Sequence, residues 1–79
     1  MEHYKNLGGN SSIVGYEIGD DFIEVKFKDG SLYLYNYQVT GSDDVEHMKN
    51  LAIEGQGLGS FIGTVVKKRY ASKLRWILR

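Results

Sequence analysis

Seventy-nine residues suffice for one domain with a thin core, because a chain this short buries only about 60% of its unfolded surface. The absence of cysteine excludes disulfides, thiolate metal sites and a cysteine nucleophile, and no segment has signal-peptide or bilayer-spanning character, so a cytoplasmic protein is expected. Net charge is zero, yet Lys67, Lys68, Arg69, Lys73, Arg75 and Arg79 give the end of the chain +6 against −6 for the rest, where ten acids meet four lysines.

Residues 1–10, polar and ending in Gly8-Gly9-Asn10, read as a loose leader. From Ser12 onward Val14, Tyr16 and Ile18 alternate with Ile13, Gly15 and Glu17, the period of a strand. Gly19-Asp20 fits a two-residue hairpin turn. In the next strand Ile23, Val25 and Phe27 point one way while Glu24, Lys26 and Lys28 point the other, as in a half-buried antiparallel strand. The turn then pairs Tyr16 with Ile23 and Val14 with Val25, which puts both apolar sets on one face.

Asp29-Gly30 marks a second hairpin, and Ser31–Tyr37 forms the third strand. A two-residue turn pairs Phe27 with Leu32 and leaves Tyr33, Tyr35 and Tyr37 on the open face. A three-residue turn with Gly30 left-handed pairs Phe27 with Ser31, turns the tyrosines to the core and leaves Leu32 and Leu34 outside. Asp-Gly suits both, so the residues alone leave the choice open.

Past Gly41 the period lengthens. Ser42 is placed as an N-cap, Asp43, Asp44 and Glu46 occupy the first turn, and Val45, Met48, Leu51 and Ala52 form the apolar stripe of a helix ending near Gly55. Gly55–Ser60 reads as a flexible connector, with Ser60 capping a second helix whose apolar face is Phe61, Ile62, Val65, Val66 and Tyr70. Residues 73–79 are a basic tail or a last helical turn containing Trp76. The predicted architecture is an α+β domain over 11–72: a three-stranded antiparallel meander followed by two helices packed on one face.

Gly15-Tyr16-Glu17, the Ile23, Val25 and Phe27 series, Gly30, Tyr33-Leu34-Tyr35, Val39, Gly59-Ser60-Phe61-Ile62 and Val66-Lys67-Lys68-Arg69-Tyr70 together resemble the KTSC family. This is a short domain named from the C-terminus of some lysyl-tRNA synthetases, also found as a stand-alone bacterial protein. The resemblance spans 11–70 and centres on the Tyr-x-Tyr. Thr40 stands where the family prefers proline, and the stretch from Gly41 to Gly59 is longer than usual. The resemblance implies inward-facing Tyr33 and Tyr35, and a domain for which RNA binding has been suggested.

The expected function is therefore a non-enzymatic binding module. RNA or another single-stranded nucleic acid is the leading partner: Lys67, Lys68, Arg69, Lys73 and Arg75 would neutralise phosphates, and Tyr33, Tyr35 and Trp76 would stack on bases. The alternative is a protein partner or a second copy, docked on an edge strand or on a sheet face bearing Phe22, Leu32 and Leu34. No membrane contact, cofactor or metal is expected. His47 near Asp43, Asp44 and Glu46 reads as an exposed helix residue, the glycine connector matches no phosphate-loop fingerprint, and the serines have turn, strand-edge or cap roles.

Overall fold

The computed structural model describes residues 1–9 and 11–75. Among these the chain forms five antiparallel strands in sequential order: β1 (Glu2–His3), β2 (Ile13–Ile18), β3 (Phe22–Phe27), β4 (Ser31–Asn36) and β5 (Ser72–Arg75). Between β4 and β5 lie α1 (Ser42–Glu54) and α2 (Leu58–Phe61), the latter continuing as a π-helical segment, Ile62–Val66. The α+β class and the central meander are as expected. The sheet, however, gains a strand at each edge, and neither edge strand was expected.

The leader is not loose. β1 pairs with β2 in the register Glu2↔Tyr16, and Tyr4 N–H donates to the Val14 carbonyl at 3.0 Å. Tyr4 itself is 2% exposed, and its hydroxyl accepts from the Leu58 N–H at 3.3 Å. Leu7 N–H donates to the Gly55 carbonyl at 2.7 Å. At Gly55, which has a φ of 83°, a Cβ would lie 2.6 Å from Lys5 Cβ, so the leader runs where only a glycine lets it approach.

At the other end, the expected tail is strand rather than a helical turn. β5 pairs with β4 through Ser31↔Arg75, Leu32↔Leu74, Tyr33↔Lys73 and Leu34↔Ser72. Trp76 and Arg79 lie outside the described residues.

Two registers decide which side chains face the helices. In the first hairpin the turn is Asp20-Asp21, not Gly19-Asp20. Gly19 N–H donates to the Phe22 carbonyl, and Tyr16 pairs with Val25 and Ile18 with Ile23. Gly19 serves instead as the floor beneath the Phe22 ring, which any Cβ there would strike. A bulge between Ile13 and Gly15 then reverses the alternation, so Ile13 enters the core in place of Val14.

The second hairpin takes the three-residue turn Lys28-Asp29-Gly30. Gly30 has a φ of 90°, Asp29 Oδ1 accepts from the Ser31 N–H at 2.9 Å, and Val25 pairs with Tyr33 and Ile23 with Tyr35.

The helices cover the face carrying Ile23, Val25 and Tyr35, against which Val45, Met48 and Ala52 of α1 and Leu58, Ile62 and Val66 of α2 and its π segment are buried. α1 begins after Gly41 (φ 100°) with no side-chain cap, so Ser42 does not cap it as expected. It ends at the left-handed Gly55, whose N–H donates to the Leu51 carbonyl.

The second helix starts two residues before the expected cap, after Gly57, so Ser60 lies inside it. It also ends earlier, at Val66, and Tyr70 packs on the sheet instead of extending it. Lys67 terminates it with φ 53° and ψ −120°, a conformation that L side chains rarely adopt. No described helix is long and apolar enough to cross a membrane.

Candidate binding surfaces

The basic residues that lie together in sequence are divided by the fold. Arg69 is committed: Nη2 meets Asp44 Oδ2 at 2.5 Å, Nη1 donates to the Thr40 carbonyl at 2.6 Å, and the Thr40 hydroxyl donates to the Arg69 carbonyl. It ties the end of the helical segment to the start of α1 and is withdrawn from the expected phosphate-binding set. Lys67 and Lys68 are exposed and have no anionic partner among the described residues. Lys73 Nζ lies 5.3 Å from the centroid of the Tyr33 ring, a cation–π contact. Arg75 contributes its backbone to β5.

The tyrosines do not form a stacking platform. Tyr35 is 1% exposed, and burial, with smaller contributions from Tyr33 and Tyr70, pushes its phenol far above the ordinary range. It offers no ring to a base. Tyr33 is half-buried, with its centroid 5.1 Å from Phe27, 4.9 Å from Tyr70 and 6.3 Å from Tyr35.

Tyr37 escapes the core because β4 ends at Asn36. Its hydroxyl donates to Glu46 Oε2, which also takes Lys49 Nζ at 2.7 Å. Lys49, 8% exposed, donates as well to the Asp20 carbonyl at 3.0 Å, so α1 holds the first hairpin turn from above. These bonds pull the Glu46 carboxyl below its usual range, Lys49 contributing most, and the Glu46 bond pushes the Tyr37 phenol up.

Pairing assigns the opposite face of the sheet in two rows. Glu17, Glu24, Leu34 and Ser72 lie side by side across β2 to β5, and Gly15, Lys26, Leu32 and Leu74 form the next row. No described helix lies over this face. Leu32 and Leu34 are half-buried by their sheet neighbours, Leu74 is 61% exposed, and Phe22 stands diagonal to Leu34. Met1 covers Gly15, where a Cβ would meet its Sδ at 3.0 Å. Glu17 and Glu24 oppose each other directly, and neither they nor Lys26 has an ion-pair partner among the described residues.

A third feature is a cleft of about 420 Å³ between the leader and the glycine connector. It is lined by Tyr4, Asn6, Ser11, Gln56, Gly57 and Ser60 among others, with no charged side chain in its wall among the described residues. Gly59 packs against Ser11, whose hydroxyl accepts from the Ile13 N–H. His47 lies edge-on to Phe61 at 4.6 Å, and no group of three or more metal-ligating side chains occurs among the described residues.

Leu32 and Leu34 on this face correspond to one of the two registers the residues left open, while Leu74 was missed. The alternation of Lys73 and Arg75 about Leu74 was the available signal, and it is shorter than one strand period repeated twice. Comparison with family models, with curated proteins and with solved structures gave no match to the chain.

Proposed function

We propose that this chain is a small non-enzymatic binding module that recognises protein through the open face of its sheet. The observation that carries the reading is the run Leu74–Leu32–Leu34, contiguous by strand pairing, on a face over which no described helix lies. A solvated sheet face ordinarily alternates to polar residues. Here three leucines form an apolar patch on β4 and the edge strand β5, bordered by Glu24 and Lys26 of the central β3 and by Ser72, an apolar patch flanked by polar groups. Two residues of the alternative set are spent elsewhere: Arg69 on Asp44, and Tyr35 on the core.

Site-specific photo-crosslinking tests it. A crosslinker at position 34 or 74 in the producing cells is expected to give adducts of defined protein mass, and one at Thr64, exposed on the other side, is expected to give none. Equal adducts from all three positions, or no protein adduct from 34 and 74, would overturn the reading.

A second reading is favoured by Lys67, Lys68 and Lys73, which keep their charges unpaired among the described residues, and by the resemblance to the KTSC family. On it the domain binds single-stranded RNA by phosphate contacts alone. Three such contacts give a salt slope of about −2 for a single strand. Replacing all three lysines by glutamine would abolish that slope, and absence of binding at low salt would end the idea.

A further inference from the structure

We infer that the occupant of the open sheet face is a second copy of this chain, packed face to face about a two-fold axis. This rests on the reading of that face as the working surface and adds the identity of the partner. The argument is one of self-complementarity. The two rows run parallel across the strands: Glu17–Glu24–Leu34–Ser72, then Gly15–Lys26–Leu32–Leu74. A two-fold axis lying across the strands midway between the rows exchanges them without shifting strand order. Each Glu24 then faces the other copy's Lys26, each Leu34 faces a Leu32, and each Leu74 covers a Ser72. This is the isologous contact that closed dimers use, with the sheets stacked about 10 Å apart.

The charges on the face call for such a neighbour. Glu17 and Glu24 are directly opposed across β2 and β3, a like-charge pair that disfavours the isolated sheet, and no described cation forms an ion pair with either. Lys26, one row away on the same face, is equally without an ion-pair partner. The two-fold brings each lysine onto the carboxylates of the other copy. A heterologous partner would have to bring both signs in the same spacing, whereas a second copy has them already. Zero net charge leaves no long-range repulsion between copies.

Four strands about 19 Å across and about 20 Å long offer roughly 380 Å² of face per copy, a contact of the small, transient class. A contact of that size makes a weak dimer, and salt weakens it further.

Sedimentation equilibrium of the wild-type chain, from micromolar to about 1 mM, is the first measurement. Reversible dimerisation is expected, and a monomer throughout overturns the inference. Glu24→Lys and Lys26→Glu, each alone, juxtapose like charges twice per dimer and are expected to weaken association at least tenfold. An equimolar mixture of the two variants restores both pairs and should dimerise as the wild type does. If the mixture stays monomeric while the wild type dimerises, the arrangement is wrong. Should either single variant fail to fold, the double variant Glu24→Lys/Lys26→Glu carries the same restored pairs and tests the same arrangement. A monomeric wild type with a heterologous crosslink at position 34 removes only the second copy, whereas no crosslink of any kind removes the protein-binding face itself.

Discussion

Arg69 closes on Asp44 across 25 positions of sequence, and the same guanidinium holds the carbonyl of Thr40 just before α1. The contact converts part of the charge sorting into structure: one of the cations at the end of the chain is answered by an acid upstream. Replacing Arg69 by alanine removes three charge-assisted hydrogen bonds, to Asp44 and to the Thr40 and Val65 carbonyls, on a half-exposed group, and the expected loss is about 1–2 kcal/mol in chemical denaturation. Asp44→Asn, which leaves the Thr40 bond intact, should lose less than half of that. Equal losses would show that the carbonyl contact contributes nothing.

The two faces of β4 predict opposite behaviour for neighbouring residues. Tyr35→Ala opens the core and should lose about 3–5 kcal/mol, enough to unfold a large share of so small a domain. Leu34→Lys, one position away on the open face, should change stability by less than about 1 kcal/mol while abolishing association. Thermal unfolding beside sedimentation separates the two effects. A Leu34 variant as unstable as the Tyr35 variant would place Leu34 in the core.

Lys67 sits at φ 53° and ψ −120°, where a Cβ is strained and glycine is not. Lys67→Gly should therefore raise stability by about 0.5–1 kcal/mol despite glycine's greater freedom when unfolded, with Lys67→Ala close to neutral. Denaturant midpoints of the three proteins decide it. A destabilised glycine variant would mean that the side chain does more for the fold than the strain takes away.

The bonds of Glu46 to Lys49 and Tyr37 make stability depend on pH in two windows. Glu46 has a folded pKa below its unfolded value, so its contribution is present above about pH 4.5 and is lost as pH falls through the folded value. Tyr37 has a folded pKa above its unfolded value of 10.0, so its contribution is present below that pH and is lost as pH rises through the folded value. Glu46→Gln should flatten the acid limb of a stability–pH profile, and Tyr37→Phe the alkaline limb. A profile unchanged at both ends by Glu46→Gln would rule the network out.

Tyr4 ties the first strand to the second helix through the Leu58 N–H. Tyr4→Phe should lose about 1 kcal/mol by orphaning that donor, and removal of residues 1–9 should lose several, since the whole ring leaves the core. Urea denaturation of both is the check. A shortened chain as stable as the full one would mean that the leader is dispensable to the fold.

Much of this was legible in the residues. The alternation of Ile23, Val25 and Phe27 fixed a half-buried strand, the Asp29-Gly30 pair fixed where the chain turns, and the spacing of Val45, Met48 and Ala52 fixed the buried stripe of α1, because period and turn chemistry are local properties. β1, two residues long, and β5, four, are too short to display a period, and they exist because the edges of β2 and β4 offer unpaired backbone groups. Asp-Gly permitted either side of β4 to face inward; the helices needed Tyr35 beneath them, and a one-residue difference in turn length sent Leu32 and Leu34 to the open side. The residues alone establish the class, the central strands and the sorting of charge. Which of those charges are spent on one another, and which face no described helix covers, emerge only on folding, because both depend on contacts between residues far apart in the chain.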